Sequence, residues 1–357
     1  MLGAAAAVLV AEIPEVAPVR VGVGEVPLHR VMDRRLGDLA EAGDERLDER
    51  EQEDEAHPAP KSTENGGSAQ TSPGDVIWSP VTGPELEILL EESAGDVLPL
   101  GPELSALYGE LRMPSRPDRP HVFANFVASV DGVVAIDPPH GTGAEVSGGD
   151  ARDRAVMGLL RAVADAVVIG AGNLRAEGVH VWTAERVCPE HVPAWAALRA
   201  ALHKPPAPLQ VVVSGSGDVD LSLAVFSGAV PFLLVTTAAG AARVVAQRKG
   251  LPVAIPPPGA GWIPLRAVLA AAGLGPGALV LVESGPTSLA RYLEEGAIDE
   301  LFLTSAPVLL GRGGTPRTLG LVEGRSFPPR AQPLRLVSAR RGGSFLFLRY
   351  ASAATAR

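Results

Sequence analysis

The sequence predicts an α/β fold in which a mostly parallel sheet is flanked by helices on both faces. From His121 onward, short apolar runs typical of strands alternate with segments of helical periodicity, which is the pattern of a sheet built from strand–helix units. Near the C-terminus three strand-like runs follow one another without a long helix between them. Such strands commonly add antiparallel edges, so we expect a mixed sheet.

The predicted strands are short and rich in Val, Leu, Ile and Ala. The alternating group comprises residues 122–128, 166–170, 209–214, 231–236 and 279–283. The C-terminal group comprises residues 301–306, 334–337 and 345–350. Between the first two strands, Ser147 is a candidate N-cap for a helix through Ala164, because the apolar side chains of that segment recur at helical spacing.

The N-terminal region differs in composition from the rest of the chain. Residues 32–56 hold eleven acidic residues against four Arg, and residues 57–74 are rich in Pro, Ser, Gly and Asn. This composition predicts that residues 1–77 form a disordered acidic and linker extension. An interaction arm is the alternative interpretation of the same residues.

Two further regions follow the extension. Residues 78–118 are predicted to be a short helical lead-in, because two groups of leucines have helical spacing: Leu86, Leu89, Leu90 and Leu104, Leu107, Leu111. Residues 119–357 contain all the predicted strands and would form the main domain.

Composition and charge exclude several classes of protein. The single cysteine, Cys188, excludes an internal disulfide and a multi-cysteine zinc site, so no metal is expected. A net charge of −10 without a basic stripe argues against nucleic-acid binding. Residues 2–10 are apolar but too few to span a bilayer. We therefore expect a soluble cytoplasmic protein that binds a small molecule, without nucleic-acid or membrane partners, and leave open whether it is a homodimer.

The most informative motif is the run LVLVESGPTS at residues 279–288. An apolar strand ends in one carboxylate, Glu283, and a Ser-Gly turn leads into a helical segment. In open α/β sheets ligands bind beyond the carboxyl ends of strands, and a helix N-terminus there can hold a phosphate. The alternative is a strand that ends in a solvated glutamate and a helix that begins at an ordinary turn.

Glycines and serines follow two other predicted strands. Gly170, Ala171 and Gly172 would allow close approach of the backbone to a phosphate, but a Rossmann fingerprint is absent because Arg175 occupies the place of its third glycine. A simple strand-to-loop turn is the alternative. Ser214 and Ser216 follow the strand at 209–214 and could meet a ribose and its phosphate, or could serve only as turn residues.

Five motifs in order give the chain a family resemblance. They are ASVDG at 128–132, DAVVIGAGN at 165–173 with LRAEG behind it, the Glu283 turn, IDELFL at 298–303, and APVLLG at 306–311. In this order and at these distances they resemble the pyrimidine reductases of riboflavin biosynthesis, across roughly residues 118–350. The resemblance implies a dihydrofolate-reductase-like fold for residues 119–357, which would then be a reductase domain.

The resemblance also implies an activity and a set of site residues. The activity is NADPH-dependent reduction of 5-amino-6-(5-phosphoribosylamino)uracil to its ribitylamino product. Catalytic roles would fall to Glu283 and Asp131, although water is an equal candidate as the proton source. Substrate binding would fall to Asn125, Ser147, Arg161 and Glu283. Cofactor binding would fall to Gly170, Ala171, Gly172, Asn173, Glu177, Ser214, Ser216, Gly285, Pro286, Thr287 and Ser288.

Several residues depart from the family pattern or have simpler explanations. Ser284 stands where the family usually has glycine, which could narrow the space for the cofactor. Asn173 stands where the family often has Thr, and Glu177 where it often has Asp; both keep their hydrogen-bonding capacity. Arg161 could be a solvated helix residue, and Asp131 before a glycine is a common turn residue.

Two alternative functions follow from these departures. The first is a paralogue with the same fold and cofactor that reduces a different small substrate. The second is a non-catalytic nucleotide-binding protein in which the acidic residues 32–56 bind a partner. The zinc deaminase to which many bacterial relatives are fused is excluded in this chain, because its metal site needs more than one cysteine.

The charge of the N-terminal extension generates a test. A chain that begins near Asp75 should be soluble and should melt at the temperature of the full chain, because residues 1–77 are acidic and lack apolar stripes that could pack. Thermal denaturation of the two chains measures this. A fall of many degrees in the melting temperature of the shortened chain would show that the extension packs.

Overall fold

The computed structural model describes residues 86–136, 143–176, 181–257, 262–314, 317–327, 329 and 331–352. All of them belong to one unit, Ile77–Arg357. The predicted extension, residues 1–77, and the cofactor candidate Glu177 lie outside the described residues.

Strands occur along the whole of this region. In chain order they are β1 Glu87–Glu91, β2 Asp96–Val97, β3 Arg112–Met113, β4 His121–Ser129, β5 Val133–Ile136, β6 Ala166–Gly170, β7 Leu209–Ser214, β8 Phe232–Thr236, β9 Val253–Ala254, β10 Leu279–Val282, β11 Glu300–Ala306, β12 Thr318–Gly320, β13 Leu334–Gly342 and β14 Phe345–Ser352.

The α-helices connect and cover these strands. They are α1 Gly101–Tyr108, α2 Gly143–Ser147, α3 Ala151–Val163, α4 Ala171–Ala176, α5 Ala184–Val187, α6 Val192–Ala201, α7 Ala238–Gln247, α8 Leu265–Ala271 and α9 Pro286–Glu294. Among the described residues, no helix combines the length and the apolar character needed to cross a bilayer.

A mixed sheet forms the centre of the fold. In the described part of the chain it has ten strands in the order β1-β13-β14-β11-β4-β10-β6-β7-β8-β9. The seven strands from β11 to β9 run parallel to their neighbours, whereas β14, β13 and β1 are antiparallel. The predicted α/β class, with a mostly parallel sheet and helices on both faces, is confirmed.

The sheet is buried on both faces because side chains alternate along each strand. In β6, Val167 and Ile169 join one apolar cluster with α1, α3 and α6, while Ala166 and Val168 join a second cluster with α8 and α9. In the sequence these central strands are therefore continuous apolar runs, and apolar and polar residues do not alternate along them.

Two sequence predictions about strands and helices were wrong. β11 is not an antiparallel edge: it pairs parallel with β4 inside the sheet, because α9 returns the chain between β10 and β11 as a crossover connection. Residues 87–91 are a strand rather than a helix, because they pair with β13 and so complete the edge of the sheet. Leu104 and Leu107 do lie in a helix, α1, and are buried.

The N-cap predicted for α3 was also wrong. Ser147 is the last residue of the preceding short helix, α2. The cap of α3 is Asp150, whose carboxylate accepts the backbone N–H groups of Arg152 and Asp153. Asp is as good a cap as Ser, and Asp150 lies directly before the first helical residue.

Candidate active site

A cavity of about 620 Å³ lies beyond the carboxyl ends of β6, β7 and β10. Residues of β4, β5 and α3 form its remaining walls, together with α4 and the first turn of α9. The volume is within the usual range for small-molecule sites, and the position is the usual one in open α/β sheets.

Most residues singled out in the sequence line this one cavity. Gly170, which ends β6, Ser214, which ends β7, and Glu283, which follows β10, meet there because the three strands are parallel neighbours. The other predicted site residues that line it are Asn125, Arg161, Ala171, Gly172, Asn173, Ser216, Gly285, Pro286, Thr287 and Ser288.

A buried ion pair lies in the cavity wall. Arg161 of α3 donates from Nη2 to Glu283 Oε2 at 2.7 Å, and from Nε to Oε2 at 3.0 Å and to Oε1 at 3.3 Å. Arg161 is 2 % exposed and Glu283 is 7 % exposed. The glutamate is therefore not a solvated strand end, and the arginine is not a solvated helix residue.

Side chains also fix the turn that carries Glu283. Asn173 donates from Nδ2 to the Glu283 carbonyl at 2.8 Å, and Ser284 donates from Oγ to the Val168 carbonyl at 3.1 Å. The Ser284 hydroxyl is thus bonded to β6, and Ser284 still lines the cavity, so its effect on the space for a cofactor stays a prediction. These two bonds set the position of the Glu283 carboxylate and of the α9 N-terminus behind it.

The α9 N-terminus forms one end of the cavity. Gly285 is its N-cap, and Pro286, Thr287 and Ser288 form the first turn. The helix dipole and the hydroxyls of Thr287 and Ser288 favour an anion there, although Pro286 has no N–H and the Ser288 N–H donates to the Gly285 carbonyl. Gly172 faces open space across the cavity, so the backbone there is accessible to a ligand.

Arg175, in the last turn of α4, was not proposed as a site residue from the sequence. Its side chain is exposed and lines the cavity together with Ser214, Gly215 and Ser216. A guanidinium beside hydroxyl groups suits a phosphate. The sequence offered one indication that Arg175 is a site residue, because it lies about one helical turn after the Gly170–Gly172 run.

Asp131 does not line the cavity. Its carboxylate accepts the backbone N–H groups of Leu310 and Gly311, at 3.1 and 2.7 Å, and the Ser129 hydroxyl at 2.7 Å. The Ser129 hydrogen bond and these backbone bonds lower the pKa of Asp131. The residue ties the β4–β5 turn to the loop after β11, so the catalytic role expected for it is not supported.

Asp153 is a cavity residue that the sequence reasoning missed. It lies one helical turn apart from Met157, which is one turn from Arg161, so α3 presents all three to the cavity. Burial raises the pKa of Asp153 to about 6, although the hydroxyls of Thr304 and Ser147 hydrogen bond to it and oppose the change. Ser147 does not line the cavity, but its side chain hydrogen bonds to Asp153, which does.

The model of the RibD C-terminal domain family matches residues 120–346, which is more than half of the chain. The chain belongs to this family. No curated protein matches the sequence. Among solved structures, the chain is similar to a pyrimidine reductase-like protein of Corynebacterium diphtheriae, with 22 % identity and a TM-score of 0.51 over 65 % of this chain and 92 % of that one.

Two other solved structures are less similar. RibD of Acinetobacter baumannii has 18 % identity and a TM-score of 0.46 over 66 % of this chain and 58 % of that one. The riboflavin biosynthesis reductase Rib7 of Saccharomyces cerevisiae has 15 % identity and a TM-score of 0.46 over 66 % of this chain and 90 % of that one. Family membership rests on the match to the family model, and the likeness to the Corynebacterium diphtheriae protein agrees with it in fold.

The buried ion pair generates a test of its role. Glu283→Gln and Arg161→Met should each lower the free energy of unfolding by about 3–5 kcal/mol, because each leaves its buried partner without a counter-charge. The double variant with both changes should lose less than the sum of the two single variants. Urea denaturation of the four proteins measures the coupling, and additive losses would show that the pair is not coupled.

Proposed function

We propose that the protein reduces 5-amino-6-(5-phosphoribosylamino)uracil to its ribitylamino product with NADPH, as a reductase of riboflavin biosynthesis. The observation that carries the proposal is the arrangement of one cavity: an anion-binding helix N-terminus lies directly behind the buried Arg161–Glu283 pair. A dinucleotide and a polar substrate need these two kinds of site side by side. Membership of the RibD C-terminal domain family supports the same reaction.

The residues present fit a nicotinamide dinucleotide. The donor set at the α9 N-terminus, with Thr287 and Ser288, is suited to the pyrophosphate. Gly172 faces open space and leaves the backbone accessible to it, whereas the Asn173 side chain lies next to Gly285. At the other end of the cavity Arg175 and Ser216 would hold the ribose with its 2′-phosphate, which favours NADPH over NADH.

The substrate would bind between the cofactor and α3. Both Glu283 oxygens accept N–H groups of Arg161, but Oε1 only at 3.3 Å, so Oε1 is the better acceptor for a sugar hydroxyl. Arg161 is committed to Glu283, and we assign it the positioning of that carboxylate rather than direct binding of a phosphate. Asn125 of β4 offers an amide to the edge of the pyrimidine ring.

The main contribution of the chain to the reaction would be to align the bound cofactor with the bound substrate. The nicotinamide, when bound, supplies the hydride that reduces C1 of the sugar. The chain binds both molecules, excludes water from the buried floor of the cavity and delivers one proton. Alignment of bound reactants alone can lower the barrier by about 7–11 kcal/mol.

Turnover tests the proposal directly. Purified protein should oxidise NADPH when 5-amino-6-(5-phosphoribosylamino)uracil is added, with the ribitylamino product identified by mass spectrometry. Binding of NADPH without turnover would favour the non-catalytic alternative. Turnover only with another small substrate would favour the paralogue.

Arg175 offers a test of cofactor preference. Arg175→Gln should raise the KM for NADPH by roughly ten- to hundredfold, because one charge-assisted hydrogen bond contributes about 1.5–3 kcal/mol. The KM for NADH should stay the same, since NADH has no 2′-phosphate. Arg186→Gln is the matched control, because Arg186 is exposed and does not line the cavity. Equal effects of Arg175→Gln on both cofactors would contradict the assignment.

A further inference from the structure

We propose that Asp153 is the residue that donates the proton in this reduction, an inference that rests on the proposed function. None of the sequence motifs indicated this residue. It is assigned from its place in the cavity wall, from the groups packed around its carboxyl, and from the proton that the reaction needs.

The position of Asp153 brings its carboxyl to the substrate side of the cavity. It lies in the first turn of α3, is 4 % exposed, and lines the cavity on the same helix face as Arg161. Asn125 of β4 lines the same region. A buried carboxyl that faces a ligand cavity rather than solvent is a candidate for proton transfer.

The groups around Asp153 come from several neighbouring elements. Thr304 of β11 and Ser147 of α2 hydrogen bond to the carboxylate and lower its pKa. Burial raises the pKa more strongly, and the charges of Asp150 and Glu283 raise it further. Each of these two acids has its own arginine, Arg152 for Asp150 and Arg161 for Glu283, at 2.6 and 2.7 Å. The resulting pKa of about 6 leaves Asp153 able to hold a proton near neutrality.

The other acids that the sequence indicated are less suitable donors. Glu283 accepts Arg161 N–H groups with both of its oxygens, so it is held as an acceptor. Asp131 is outside the cavity lining and is bonded to the loop after β11. Asp153, by contrast, lines the cavity, and the groups that hydrogen bond to its carboxylate are the hydroxyls of Thr304 and Ser147.

The step balances with one hydride and one proton. The bond between sugar C1 and the ring oxygen breaks, and its electron pair goes to that oxygen, which takes the proton of Asp153 and becomes a hydroxyl. C1 gains the hydride supplied by the nicotinamide and is reduced, while the cofactor is oxidised to NADP⁺. Asp153 is left as a carboxylate and regains its proton from water.

The pH dependence of kcat tests the assignment. In the wild type, kcat should fall as the pH rises past the pKa of Asp153, because the donor must be protonated. Asp153→Asn should lower kcat by about a hundredfold or more, the usual contribution of a general acid, and should abolish this pH dependence. The KM should change little, since Asn keeps the size of the side chain. Asp153→Glu should restore part of kcat together with the pH dependence.

Thr304→Val separates proton transfer from a merely structural role. The Thr304 hydroxyl stabilises ionised Asp153, so its removal should raise the pKa and move the fall in kcat to higher pH. Folding is followed by melting temperature: Asp153→Asn should melt above the wild type, and more so in alkaline than in acidic buffer. The reason is that a raised pKa makes ionised Asp153 a cost to the folded state, and this cost grows as the pH rises from the unfolded value to the folded one.

The possible outcomes distinguish the two proposals. If the wild type turns over the substrate but Asp153→Asn keeps kcat and the same pH profile, the donor assignment is wrong and the proposed function stands. If Asp153→Asn changes only the KM, Asp153 is a binding residue and the assignment is again wrong. If the wild type oxidises no NADPH with this substrate, the proposed function fails, and the donor assignment fails with it.

Discussion

The buried pair of Arg161 and Glu283 is the interaction on which the rest of the site depends. It joins α3 to the end of β10 across the floor of the cavity. Two charges taken out of water add little net stability, and well-packed apolar residues could often replace them at no loss. A positioning role fits the pair better than a stabilising one, because Arg161 holds the Glu283 carboxylate in the cavity lining and α9 begins three residues further along the chain.

Because of this ion pair, the helix α3 contacts the site at Glu283 and also supplies Asp153 to it. α3 carries Arg161, which holds Glu283 next to the turn proposed to bind the cofactor phosphates, and also Asp153, two turns earlier on the same face. Asp150 caps the helix and so fixes where that face begins. α3 therefore carries the proposed donor itself and contacts the proposed substrate acceptor through Arg161.

The sequence predicted site residues well where they lie at the end of a short apolar strand. The bounds of β6 and β7 match the predicted residues, and Gly170, Ser214 and Glu283 were recognised because each lies at or just after a strand end. The sequence did not predict contacts between residues that are far apart in the chain. The ion pair is an example, because Arg161 and Glu283 are 122 residues apart. Asp153 was missed because an acid in the first turn of a helix usually just complements the helix dipole. The parallel direction of β11 depends on the crossover through α9, which apolar periodicity alone does not reveal.

In the proposed complex, the turn after Glu283 holds the cofactor phosphates and the Arg161–Glu283 pair faces the substrate. A crystal structure of the protein with NADP⁺ and the ribitylamino product tests this most directly. The pyrophosphate should lie at the N-terminus of α9, the 2′-phosphate beside Arg175 and Ser216, and a ribityl hydroxyl on Glu283 Oε1. A dinucleotide bound away from the β6, β7 and β10 strand ends, or a product that does not contact Glu283, would contradict it.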